Sequence, residues 1–174
     1  MIGDRRSWMM GTGAVVAIVS LTGCAEVEVA EYEAIAVTRY VWQVEYNRDT
    51  QQDRPADRRL ETFAETSLEN INGQEPGSAV TGPDDRELWW PALPPRPTLD
   101  EMEARQQGRE AIGTPELQTQ VDYELRYDVG GRPVSKPTDF AVYRQAVKAL
   151  RQGQALRLTL GVDDSTVEKA EPIP

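Results

Sequence analysis

Histidine is absent from this chain of 174 residues, and cysteine occurs once. Without an imidazole the protein lacks the commonest general base and the commonest transition-metal ligand. A lone thiol cannot complete a zinc, haem or iron–sulfur ligand set of the usual kind, and it cannot close an internal disulfide. Lysine is scarce as well. Three lysines stand against sixteen arginines, a bias that reflects genome base composition more than function. Positive charge is the minority sign, with a formal net charge of −10. Such a surface argues against nucleic acid, whose phosphates it repels, and against lying flat on anionic lipid. Long apolar runs are missing too. The stretch from Trp8 to Val19 has 12 residues, softened by Gly11, Thr12 and Gly13, and a helix needs about 20 to span a bilayer core. No phosphate-binding loop and no dinucleotide-binding glycine pattern is present.

What the N-terminus does contain reads as an address. Arg5 and Arg6 give a positive start, Trp8 to Val19 an apolar middle, and Thr22 and Gly23 small residues ahead of Cys24. That order describes a signal peptide over residues 1–23. Leu21-Thr22-Gly23-Cys24 resembles the lipobox of bacterial lipoproteins. The resemblance implies a diacylglycerol on the Cys24 sulfur, cleavage just before Cys24, and an acyl chain on the new amino group. Each buried methylene adds about 0.8 kcal/mol of membrane affinity, so two or three chains anchor firmly where one does not. No other cofactor is implied. Residues 4–9 (DRRSWM) loosely resemble a twin-arginine export signal, so export by that route and by the general route both stay open. Ala25 after the cysteine slightly favours the outer membrane if the host is Gram-negative. The expected location is the periplasmic or extracellular face of a membrane. The resemblance extends no further than residue 24.

The mature chain of 151 residues is one domain's worth. Residues 24–36 are expected to be the lipidated cysteine and an acidic tether, and residues 37–174 a single domain. Tyr40, Trp42, Val44 and Tyr46 alternate with polar residues and predict a half-buried strand. Leu60, Phe63, Ala64, Leu68 and Ile71 fit one face of a short helix stopped at Asn72-Gly73, with a strand as the alternative. Residues 72–97 form a proline-rich loop. Thr98 caps a helix with Glu101 three residues on, the spacing of a capping box, and that helix is expected to end near Gly108. Residues 121–129 alternate cleanly as a strand, and Gly130-Gly131 is a hairpin turn signal. Residues 132–136 return as an edge strand, with Pro133 and Pro137 limiting pairing. Phe140, Tyr143, Val147 and Leu150 predict a helix ending at Gly153. Leu156, Leu158, Leu160 and Val162 alternate again, and residues 166–174 form a last strand or tail. The short echo between residues 42–46 and 123–127 predicts neighbouring strands with charges pairing on their outer faces. The sum is a small α+β domain: an antiparallel sheet, one or two helices and a long proline-rich loop. A small β-barrel plugged by the 139–151 helix is the alternative.

Three features carry candidate function. Trp89, Trp90, Pro91, Leu93, Pro94 and Arg96 lie in a stretch whose prolines favour polyproline II, with the P-x-L-P-x-R spacing of ligands for proline-recognising domains. It reads either as a docking peptide for a partner or as a strap packed on its own sheet. Tyr40, Trp42, Tyr46, Tyr123 and Tyr127 could line an aromatic groove for a sugar or peptide, although alternation makes core packing simpler. The paired acids Asp84-Asp85, Asp100-Glu101 and Asp163-Asp164 match no calcium-loop spacing, and Ser135-Lys136 diverge on a strand. No catalytic or metal-ligating residue is assigned. The expected function is non-catalytic: a lipid-anchored envelope protein with a protein-interaction or structural role. Its membrane contact is the lipid anchor, its partner an envelope protein, and nucleic acid is excluded. A small-ligand or glycan-binding lipoprotein using the aromatics is the alternative, and a hydrolase built on carboxylates comes third.

Overall fold

The structure, a computed structural model, describes residues 25–48 and 58–173. The lipobox and Cys24 lie outside the described residues. The elements, in order, are β1 (Glu26–Val29), β2 (Tyr32–Arg48), β3 (Arg58–Ile71), α1 (Leu99–Ala104), β4 (Glu110–Ile112), β5 (Glu116–Asp128), β6 (Pro133–Thr138), α2 (Phe140–Arg151), β7 (Ala155–Leu160), a single 3₁₀ turn (Val162–Asp164) and β8 (Val167–Ile173). Of the described residues, 51% are strand and 15% helix. The protein is therefore mainly β. Among the described residues the strands are antiparallel, the helices number two beside the 3₁₀ turn, and a long proline-rich loop links β3 to α1.

The strands form two sheets rather than one, and neither closes into a barrel. The larger runs β3-β2-β5-β6, with β4 also pairing to β2. The smaller runs β1-β7-β8. β2 is the spine of the larger sheet. Its 17 residues reach roughly 55 Å at about 3.3 Å per residue. Every even position from Tyr32 to Tyr46 points to one face, and the end positions Tyr32, Ala34, Ala36, Val44 and Tyr46 are buried. That alternation is longer than the stretch legible in the sequence, because between Tyr32 and Tyr40 it runs through two alanines and a threonine rather than aromatics.

Four expectations are corrected, the end of α1 among them. The acidic segment predicted as a tether is built into the fold from Glu26 onward. Val27 lies opposite Leu158, Val29 opposite Leu156, and the Leu160 N–H donates to the Ala25 carbonyl (2.8 Å). Val29 and Tyr32 are core residues. Residues 60–71 form a strand, not a helix. β3 pairs with β2 from Ile35–Ile71 to Asn47–Arg58, and one register shift lies between Val41 and Gln43. At that shift two β2 steps oppose three β3 steps, so β3 carries an extra residue, a bulge. The bulge switches the inward-facing β3 residues from even numbers (Leu68) to odd ones (Phe63), while Leu60 and Ile71 stay exposed, so the apolar residues do not alternate as those of a regular strand do. Val162, expected to continue the β7 alternation, sits in the 3₁₀ turn and is 80% exposed.

Other local signals hold. Thr98 caps α1 with the reciprocal Glu101 bond of a capping box. The helix stops at Ala104, short of Gly108, because Glu110 claims the following turn: its carboxylate accepts from the Gln107 N–H (3.0 Å) and its carbonyl from the Gln106 side chain. Gly130 and Gly131 both take positive φ (61° and 82°) between β5 and β6, as a tight hairpin turn requires. Asp139 caps α2 and Gly153 ends it with φ of 66°. β2 and β5 are neighbours, as the sequence echo implies, and pair charges on the outer face through Arg39–Asp122 (2.9 Å) and Arg126–Glu33 (3.4 Å). The register differs from the echo, however: Tyr123 faces Ala36 and Tyr127 faces Tyr32.

Two covers close the inner face of the large sheet. Over one end, α2 and the small sheet bring Val142, Tyr143, Ala146, Val147, Leu156 and Leu158 against Ala34, Ala36, Leu125 and Tyr127. Over the other end run the proline-rich strap and α1, whose Met102 packs with Val44, Tyr46, Phe63 and Ile112.

Candidate functional site

The strap is fixed to the sheet by hydrogen bonds to its backbone. Asn70 and Thr38 are buried polar residues on the inner face. Asn70 Oδ1 accepts from the Trp89 N–H (2.7 Å) and Asn70 Nδ2 donates to the Trp89 carbonyl (3.1 Å). The amide thus imitates a strand partner. Thr38 Oγ1 donates to the same carbonyl (2.7 Å). Further along, Thr66 Oγ1 donates to the Ala92 carbonyl (2.6 Å) and Trp42 Nε1 to the Pro94 carbonyl (3.0 Å). Asp84 shapes the turn before the strap, accepting from the N–H groups of Arg86 and Leu88 and from Trp90 Nε1 (2.9 Å each).

Pro91, Pro94 and Pro97 are buried, and the residues between them are exposed. Burial every third residue is the period of a polyproline II helix. Of the sequence-nominated strap residues, Trp89 and Trp90 are half-buried, Pro91 and Pro94 face the sheet, and Leu93 (63% exposed) and Arg96 face outward. The prolines that a proline-recognising domain would grip are turned inward. The outward ridge is Ala92, Leu93, Pro95 and Arg96.

The five aromatics do not assemble into an open groove. Tyr40 packs on Trp90 (ring centroids 5.1 Å apart) and Trp42 lies under the strap with Arg96 over its ring (5.7 Å). Tyr46 is buried beneath α1 and donates to the Met102 carbonyl (2.7 Å). Tyr123 and Tyr127 belong to the α2 core. Among the described residues, no three acids or cysteines are grouped to hold a metal ion. Asp84 is a turn residue, Asp100 and Glu101 open α1, and Asp163 and Asp164 take positive φ in the 3₁₀ turn. Lys136 turns from Ser135 and donates to the Asp164 carbonyl.

Beneath α1 lies a charged cluster that sequence reasoning missed. Glu110, with its side chain 2% exposed, receives Arg59 at 2.8 Å. Arg59 also meets Glu61, donates to the Arg105 carbonyl (3.0 Å), and stacks over Tyr46 (4.5 Å). Arg105 stacks over Phe63 (4.1 Å). The Arg59 guanidinium holds the Glu110 carboxyl below the ordinary glutamate range, and burial raises the Tyr46 hydroxyl above its ordinary value. Every charge in this cluster has a partner, so the arrangement is a clasp between β3, α1 and β4.

A cleft lies elsewhere among the described residues. It has a volume of about 610 Å³ and sits between the outer side of α2 and the turn at residues 85–87. Arg144, Lys148 and Arg151 line it at helical positions i, i+4 and i+7, and Arg86 joins them from the turn. Phe140, Tyr143 and Val147 supply an apolar part, and Asp85 and Glu87 are its acids. Arg151 pairs with Glu87 (3.2 Å) and Arg86 rests over Phe140 (5.6 Å). Burial pushes the Tyr143 hydroxyl up to about 12. Sequence reasoning credited α2 only with its apolar face. The available signal was charge: residues 140–151 hold three cations and no acid, in a chain of net charge −10.

Comparison with protein families, curated proteins and solved structures finds no match to this chain.

Proposed function

We propose that this chain is an exported, lipid-anchored envelope protein whose role is to bind another protein, without catalysis of its own. The lipobox residues Leu21 to Cys24 support the anchor, and the strap supports the binding. The observation that carries the reading is the outward ridge. Backbone bonds at Trp89, Ala92 and Pro94 and burial of Pro91, Pro94 and Pro97 hold Leu93 and Arg96 in a fixed, exposed register. A rigid apolar and cationic ridge loses little conformational entropy on binding. An anchor at Cys24 also leaves only Ala25 before β1, so the domain rests close to the bilayer instead of hanging from a flexible stalk. An aromatic ligand groove has less support, because its five rings are occupied by the strap, α1 and α2.

Two experiments test the two halves of the proposal. Replacing Cys24 by alanine should abolish labelling with radioactive palmitate and leave an uncut precursor; persistent labelling overturns the anchor. A photo-crosslinking residue at Leu93 should yield one discrete adduct in native membranes. The same probe at Leu60, equally exposed at 65%, should not. Equal yields at the two sites, or none at Leu93, overturn the partner reading.

A further inference from the structure

The cleft beside α2 is independent of both the anchor and the strap ridge. Its cations are placed against the trend of the whole surface, and the ordinary reasons for placing them cover only part of the set. Lys148 and Arg151 occupy the last turn of α2, where the helix dipole favours positive charge. Arg144 lies mid-helix without that benefit, and Arg86 is on another element. Like charges at i and i+4 repel, so Arg144 and Lys148 destabilise one another unless something negative lies between or above them. Arg144 and Lys148 have no anionic partner among the described residues; the Arg151 contact with Glu87 is a surface pair, its side chains 55% and 69% exposed. Four cations against Asp85 and Glu87 leave a formal excess of two positive charges around a cleft whose other walls are Phe140, Tyr143 and Val147.

We infer that this cleft binds a small organic dianion of the phosphate-monoester class. The phosphate would sit between Arg144 and Lys148, with Arg86 completing the charge, and the organic body would lie against the half-buried Phe140. The charge match is to a dianion: a phosphate monoester carries about two negative charges above its second pKa, near 6. The missing histidine makes the pH dependence diagnostic. The charged and titratable groups facing the site are Asp85, Arg86, Glu87, Tyr143, Arg144, Lys148 and Arg151, and none of these residue types ordinarily titrates near pH 6. A loss of affinity across that pH is then the ligand's own proton.

The test is a titration of the folded protein with phenyl phosphate at fixed ionic strength, followed by amide chemical shifts. Saturable shifts are expected in α2 and residues 84–87, with tighter binding at about pH 7.5 than at about pH 5. Phenyl sulfate, a monoanion of similar shape, should bind more weakly at the higher pH. The double variant Arg144→Gln/Lys148→Gln alters two exposed side chains and should weaken binding about tenfold or more, the usual scale for losing charged hydrogen bonds. Arg132→Gln, at the distant β5–β6 turn, should leave binding unchanged. Shifts that never saturate overturn the inference. So does equal affinity for the sulfate at the higher pH, or unchanged affinity in a double variant whose spectrum is otherwise that of the wild type.

Discussion

At one end of β2 the sheet is covered by side chains, and at the other mostly by backbone. The α2 end is apolar: Leu125, Leu156 and Leu158 are fully buried there, against Ala34, Ala36 and Ala146. The strap end buries few large apolar groups, chiefly Val44, Tyr46 and Met102. Instead Thr38, Asn70, Thr66 and Trp42 hydrogen-bond to strap carbonyls, and Glu110 clasps Arg59. The difference follows from what each cover is made of. A helix satisfies its own backbone and offers only side chains. A proline-rich strap has few N–H groups and many unsatisfied carbonyls, so the sheet beneath it must supply donors. The apolar end should therefore govern global stability, and the strap end should fail locally.

The largest effect expected on that basis is Leu158→Ala. Truncating a fully buried leucine costs about 2–5 kcal/mol through lost transfer energy and the cavity left behind, and the loss should appear as a lower midpoint in denaturant with unchanged slope. Asn70→Ala should cost about 1–3 kcal/mol, because it strands the Trp89 N–H and leaves the Trp89 carbonyl with Thr38 alone. Its signature should be local: faster amide exchange at Trp89 and Trp90 and a red-shifted tryptophan emission, with α2 amides still protected. Uniform loss of protection across both ends would break the comparison.

How far each end could be read from sequence follows the same division. β5, the Gly130-Gly131 turn and α2 were legible because their signals are local: strict alternation, positive-φ glycines, and an apolar stripe closed by Asp139 and Gly153. The strap was legible as a stiff proline segment, and the choice between strap and docking peptide turned on Asn70 and Thr38, polar residues that a hydropathy pattern discards. β1 was lost because four residues of alternating glutamate and valine look like a charged linker until Leu156 and Leu158 arrive from 127 and 131 positions away. β3 was lost to its bulge. The charged cleft and the Glu110 clasp were invisible for one reason: Arg86 lies 58 residues from Arg144 and Arg59 lies 51 from Glu110, and no local pattern joins them.

The clasp has its own pH dependence. The Glu110 carboxyl is held below its ordinary value by Arg59, so its contribution is complete above the unfolded glutamate pKa of 4.5 and drains away as pH falls through the lower, folded value. Glu110→Gln should be less stable than the wild type at neutral pH and lose less on acidification, so the two curves of unfolding free energy converge toward low pH. Parallel curves would mean that the Glu110 charge does not hold the strap end. Chemical denaturation from neutral to about pH 3 reads this directly.

The smallest effects make the sharpest comparison, because they place the same residue type at the two ends. Tyr46, at the strap end, donates its hydroxyl to the Met102 carbonyl. Tyr127, at the α2 end, is as deeply buried, at 4% exposed, yet its hydroxyl has no hydrogen-bond partner. Tyr46→Phe removes one made hydrogen bond, although the Met102 carbonyl keeps the Arg105 N–H (3.2 Å), and should cost about 1 kcal/mol, whereas Tyr127→Phe removes a buried polar atom that gains nothing and should be neutral or stabilising by up to about 1 kcal/mol. Burial raises both hydroxyls above the ordinary tyrosine value of 10.0. Ionising either one is therefore penalised in the folded state, so folding is unaffected by the titration of these groups below pH 10.0 and loses stability as pH rises from there toward the folded value. Both phenylalanine variants should flatten that alkaline loss while differing in sign at neutral pH. Equal costs for the two at neutral pH would show that the polar cover and the apolar cover treat a buried hydroxyl alike, and would remove the distinction between the two ends of the sheet.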